Sequence, residues 1–192
     1  MRRNRATTLA IVILAGLMLA GWAISGQEQA GATVEKFSAN IMVQGGGAPA
    51  GRSTRLNMDV THWATQGDLD GFKKILTEGG PNALYKALAG RNVGKVQTTQ
   101  SYEYPIYLAF SVTTEKGRTI KLITERPVFT KEVVRDQDTL EYIYSYIELN
   151  LDAKGKGSGK MLGTAKVFIN KEGKVDIDTH GQPQPLINAR KV

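Results

Sequence analysis

Two histidines, His62 and His180, are the only imidazoles in the chain, and no cysteine accompanies them. A metal centre would need both to converge with a carboxylate such as Asp59, Asp176 or Asp178, and neither spacing nor local motif arranges this. His62 shares the parity of Leu56, Met58 and Val60, which makes it either a hydrogen-bonded core histidine or a pocket residue; His180 precedes Gly181 and reads as a loop residue. The glycine-lysine stretch Lys154-Gly155-Lys156-Gly157-Ser158-Gly159-Lys160 has the composition of a phosphate loop. Its spacing fails. A nucleotide loop has its first glycine five residues before the second and leads from a strand into a helix, whereas Lys154 occupies the first position and a strand pattern follows. A twisted, solvated hairpin is the better reading.

Ser158 is flanked by glycines but lacks the strand-to-helix elbow that exposes a nucleophilic serine, and no pair of carboxylates stands out as acid and base. The tyrosines are the remaining aromatic concentration. Tyr142, Tyr144 and Tyr146 form one stripe at every second position, which suits a stacking platform for sugar or lipid. The same stripe also suits a second packed face of a central strand, or an outer face beneath helices.

The elements that position these residues are mostly strands. Phe37, Ala39, Ile41 and Val43 alternate with polar neighbours, and Leu56, Met58 and Val60 do the same after a glycine- and alanine-rich loop at 45–51. The period then changes to about 3.6. Thr65 or Asp68 caps a helix whose stripe is Leu69, Phe72, Ile75 and Leu76, Gly79-Gly80-Pro81 ends it, and Asn82 starts a shorter helix carrying Leu84, Ala87 and Leu88. A helical hairpin at about 65–90, between strands 2 and 3, is expected. Strands return with Ile106, Leu108, Phe110 and Val112 on one parity, then 119–126 up to Pro127. A charged, non-periodic crossing loop is expected at 128–139.

A meander closes the pattern. Ile143, Ile147, Leu149 and Leu151 oppose the tyrosine face, a turn follows at 152–155, and Met161, Ala165, Val167 and Ile169 share a parity with Gly157, Gly159 and Gly163. Segments 174–179 and 185–189 complete eight or nine antiparallel strands. The expected fold is mainly β, a single antiparallel barrel or sandwich; alternation alone does not separate the two.

The N-terminus points to export. Arg2, Arg3 and Arg5 precede nineteen uncharged residues at 6–24, and Ala30-Gly31-Ala32 offers a cleavage site, the order of a secretory signal peptide. The alternative is a retained membrane anchor, since nineteen residues just reach across a hydrocarbon layer of about 30 Å. Either way the rest of the chain, 33–192, is expected outside the cytoplasm, periplasmic or extracellular. Without cysteine there is neither lipoprotein modification nor disulfide, so packing alone must hold the domain. Losing the leader takes three Arg and one Glu from a formal charge of +7 and leaves +5. That modest excess suits an anionic surface and does not suggest nucleic acid.

Taken together, Thr54-Arg55-Leu56, Trp63, Thr124-Glu125-Arg126-Pro127, Glu148-Leu149-Asn150-Leu151-Asp152 and Gly157-Ser158-Gly159-Lys160-Met161 resemble small exported bacterial β-rich proteins of unassigned function. The resemblance covers most of the chain after the leader and carries no activity with it. The expectation is a non-enzymatic exported domain that holds a small apolar or amphipathic, lipid-like ligand in its interior. Its lining is drawn from Met58, His62, Leu108, Phe110, Leu149 and Met161, within an inward parity that also takes in Leu56, Ile106, Ile147 and Val167. The alternative is a structural or interaction module of the cell envelope that contacts anionic glycan, lipid or a protein partner. Neither reading calls for a cofactor or a metal.

Overall fold

The computed structural model describes residues 34–42, 53–99, 103–125, 142–179 and 181–192. The leader, the loop at 45–51, the crossing segment at 128–139 and His180 lie outside the described residues. Nine strands and one helix follow in the order β1 (Glu35–Met42), β2 (Ser53–Val60), α1 (Gln66–Leu88), β3 (Gly94–Thr98), β4 (Tyr104–Thr114), β5 (Gly117–Glu125), β6 (Tyr144–Leu151), β7 (Lys156–Ile169), β8 (Val175–Asp178) and β9 (Gln184–Lys191). Eight strands, β1 to β7 and β9, pair antiparallel into a ring that the β6–β7 ladder closes, while β8 adds to the far half of β7. The fold is therefore a closed barrel and not a sandwich. Strand β3 has only five residues, too few to announce itself by alternation.

Apolar parity fills the barrel. Phe37, Ile41, Leu56, Met58, Ile106, Ile120, Leu122, Ile147, Leu149 and Met161 belong to one interior cluster. Eight strands leave a lumen just wide enough for such side chains to fill. A second cluster lies outside the wall, where Leu76, Leu84 and Leu88 of α1 cover Tyr107, Leu108, Ile123, Tyr144, Tyr146 and Val167. The outer side of these strands is thus a helix-packing face, and it accounts for Tyr144 and Tyr146 of the tyrosine stripe.

Three bulges set which face each residue takes, because one extra residue moves every later side chain to the other side. In β4 the register to β5 slips between Ile106 and Leu108, so Ile106 and Ala109 point inward while Leu108 and Phe110 point outward. The inward assignment of Leu108 and Phe110 is corrected by that bulge. In β7 the slip against β6 falls between Leu162 and Ala165, which leaves Met161 inside and sends Ala165 and Val167 out to the helix. The third is in β9, whose Asn188 adopts φ 52°, the one non-glycine residue with positive φ among those described.

The helical insert is present, as two helical stretches that meet at a kink. α1 is one element interrupted at Gly80, which takes φ 70° and ψ −172°, after which Pro81 opens the final turns. Thr65 caps the N-terminus in a capping box with Asp68: Thr65 Oγ1 accepts the Asp68 amide at 3.2 Å, and the Thr65 amide donates to Asp68 Oδ2 at 2.9 Å. Among the described residues no helix is long and apolar enough to cross a membrane.

Candidate functional site

The six residues expected to line a ligand site do not meet in one place. Met58, Leu149 and Met161 converge in the lumen, Leu108 and Phe110 lie on the opposite side of the wall under α1, and His62 is exposed beyond the end of β2. His62 leaves the inward parity because β2 stops at Val60 and the amides of Thr61 and His62 both donate to the Val93 carbonyl. Its Nδ1 lies 3.0 Å from Thr61 Oγ1. The lumen is also full. Leu56, Met58, Ile147, Leu149 and Met161 expose 0% of their surface, whereas the wall of a void that admits even water would retain accessible area.

What alternation did not single out is a polar plug at the mouth where β1 begins and β9 ends. Glu35 shares the parity of Phe37, and Arg118 that of Ile120, so both reach into the opening; a charged residue on an apolar parity at a strand end is the signal that marks them. Glu35 Oε2 accepts from Arg118 Nη1 at 2.7 Å, and Oε1 accepts from Lys191 Nζ at 2.7 Å. The Arg118 guanidinium lies 4.4 Å from the centroid of Trp63, whose ring meets Phe37 edge-on at 6.2 Å. Trp63 and the ion pairs together lid this end of the core.

Burial pushes the Glu35 carboxyl up, but hydrogen bonds from Lys191 and Arg118 outweigh it and hold the group below its ordinary 4.5. A carboxyl with a depressed folded value adds stability that is present above the unfolded value and is lost as pH falls through the folded one. Thermal midpoints should therefore drop as pH is lowered from about 5 to about 3, and Glu35→Gln should flatten that acid limb. The substitution itself should cost only about 1–2 kcal/mol at neutral pH, because both cations remain partly solvated. An acid limb as steep in the variant as in the parent would show that other carboxylates carry it.

A half-open groove of about 610 Å³ runs beside the plug, lined by Val34, Lys36, Asp59, Lys95, Glu103 and Tyr104 among others. Its charges neutralise one another: Lys36 to Asp59 at 3.8 Å, Lys95 to Glu103 at 2.6 Å. The glycine-lysine stretch forms the β6–β7 turn. Asp152 Oδ1 accepts the amides of Lys154 at 2.8 Å and Lys156 at 2.9 Å, which occupies the donors a phosphate would need.

No family model, curated protein or solved structure matches the chain. Among the described residues no three histidine, aspartate or glutamate side chains are grouped to hold a metal ion. The titratable groups are arranged as clamps. Tyr146 donates to Glu148 Oε2 at 2.6 Å; burial raises the phenol far from neutrality, and Glu148, which burial also raises, is brought below its ordinary value by Tyr146, Lys160 and Lys121. Neither group stands near pH 7, where general acid or base work is efficient.

Tyr144 differs from its neighbours. It is fully buried beneath α1, its ring centroid 6.3 Å from that of Tyr85, and its hydroxyl finds no partner among the described residues. Tyr144→Phe keeps the ring and deletes an unsatisfied group, so it should leave stability unchanged or raise it by up to about 1 kcal/mol. Denaturant midpoints decide this. A loss of more than about 1 kcal/mol would mean that an ordered water holds the hydroxyl.

Proposed function

We propose that this chain is an exported, non-enzymatic β-barrel that serves as an interaction module of the cell envelope and makes its contacts from the outer surface. The carrying observation is the filled lumen: Met58, Leu149 and Met161, three of the residues expected to line a ligand, expose none of their surface. The barrel is an architecture that in other sizes and linings encloses ligands, and the expectation of an interior ligand drew on that. Here the interior carries side chains instead, and Glu35, Arg118, Lys191 and Trp63 close one mouth. Export is supported by the basic head, the apolar run and the small-residue triplet of the first 32 residues.

Two measurements on protein recovered from cells test the reading. Intact mass should show loss of residues 1–32, in an envelope or extracellular fraction. Organic extraction followed by mass spectrometry should release no stoichiometric lipid-like molecule, and an environment-sensitive apolar dye should stay dark with the native protein. A co-purifying apolar ligand at one equivalent would restore the carrier reading, and residence in the cytoplasm would end both.

A further inference from the structure

The mouth where β1 begins and β9 ends gathers basic side chains from distant parts of the chain. Register places Arg118 opposite Leu151, Lys156 opposite Arg190 and Lys191 opposite Phe37. The β4–β5 turn with Lys116 and the β6–β7 turn with Lys154 therefore share one rim with Lys36. Among the described residues seven cations stand there against Glu35, Asp59, Glu115 and Asp152, a surplus of three. Glu35 is consumed by the plug, and Asp152 is turned onto the backbone of its own hairpin. Lys116, Lys154 and Lys156 are exposed at the hairpins and form no salt bridge among the described residues.

Two further features belong to the same rim. Val34 and Val192 are exposed, 42% and 73%, and the Val192 amide donates to the Lys36 carbonyl at 2.8 Å.

We infer that this rim rests on an anionic lipid bilayer, with phospholipid headgroups as its partner. The inference rests on the envelope reading and names the face that reading would use. The cations ring the end of a barrel together with the exposed Val34 and Val192, an arrangement that suits a flat anionic surface. A glycan strand would call for a groove with an aromatic platform, whereas Tyr144 and Tyr146 are covered by α1 and the groove beside the plug has Tyr104 as its single aromatic lining residue, with its charges already paired. Each lysine or arginine near an anionic membrane contributes about 1 kcal/mol, roughly fivefold in binding, and the attraction weakens with salt.

The absence of cysteine allows single-site labelling of the chain as it is recovered from the envelope fraction. Ala153→Cys places a fluorophore on the rim, and Ser53→Cys places one at the opposite mouth. The labelled chains are added to vesicles carrying a headgroup quencher, made of phosphatidylcholine alone or with about one-third phosphatidylglycerol. The expected result is strong quenching at position 153 on anionic vesicles only, reversed by high salt, with position 53 unquenched throughout. Replacing Lys116, Lys154 and Lys156 by Gln should lower the docked-to-free ratio roughly fivefold per lysine. Equal quenching on neutral and anionic vesicles, or stronger quenching at position 53, would overturn the inference. So would binding to a soluble anionic glycan without vesicle docking, an outcome that leaves the envelope reading standing; absence from the envelope fraction would instead remove that reading itself.

Discussion

Leu149→Asp should cost about 4 kcal/mol or prevent folding altogether, because it leaves a carboxylate in the middle of the lumen without a partner. Leu149 sits in β6 between Ile120 of β5 and Gly159 of β7, and it exposes none of its surface. The next residue is the control. Asn150 faces outward, exposed, with its Oδ1 accepting from Thr119 Oγ1 at 2.8 Å. Asn150→Asp keeps an acceptor there and should cost about 0.5 kcal/mol or less. Denaturant midpoints with unchanged slopes compare the two, and similar losses would contradict the solvated placement of Asn150.

Gly159→Ala should cost about 3 kcal/mol for a different reason. A Cβ there would run into the Glu148 carbonyl oxygen of the neighbouring strand, and at Gly157 it would run into that of Asn150. Backbone cannot yield as a side-chain tip can, so the β6–β7 ladder would have to open where it closes the barrel. Gly71→Ala supplies the opposite sign within the same protein. That glycine lies inside α1 with nothing near its missing Cβ, so alanine should stabilise by about 0.5–1 kcal/mol. Thermal melts of both variants read the contrast, and a neutral Gly159→Ala would mean that the ladder is wider than its geometry indicates.

Alternation was legible wherever a strand ran without interruption. In β1, β2 and β6 the apolar parity of Phe37, Leu56 and Leu149 is the lumen face, as sequence alone indicates. It failed at bulges, since the extra residue in β4 is a tyrosine beside a leucine, neither of which marks a bulge, and apolar side chains cover both faces of that strand. Glycines on the inward parity of β7 fit close backbone approach, strong coiling or unfilled space alike, and at Gly157 and Gly159 the structure shows close approach, to the Asn150 and Glu148 carbonyls of β6. The plug was out of reach for another reason. Glu35, Trp63, Arg118 and Lys191 come from four separate strand ends or loops, and only closure of the ring makes them neighbours. The stop at Gly79-Gly80-Pro81 was visible, and the structure breaks the helix at Gly80, with Leu84 and Leu88 beyond the break packed on the barrel surface.

The ring has its seam at β9, held between β1 and β7, and Ser38 and Arg190 touch across it although they are 152 positions apart. Until that strand arrives, the first strand and the seventh each present an open edge, and the lumen side chains have no complete enclosure. A ribosome or a translocation channel delivers β9 after everything it must join, so closure is a late event with long loops to bring together, the kind of topology that folds slowly. Under the export proposed above, that lateness would be useful: the polymer stays threadable until β9 is through. It also means that the incomplete chain carries two sticky edges for the whole passage, and a holding factor on the far side would act on those edges.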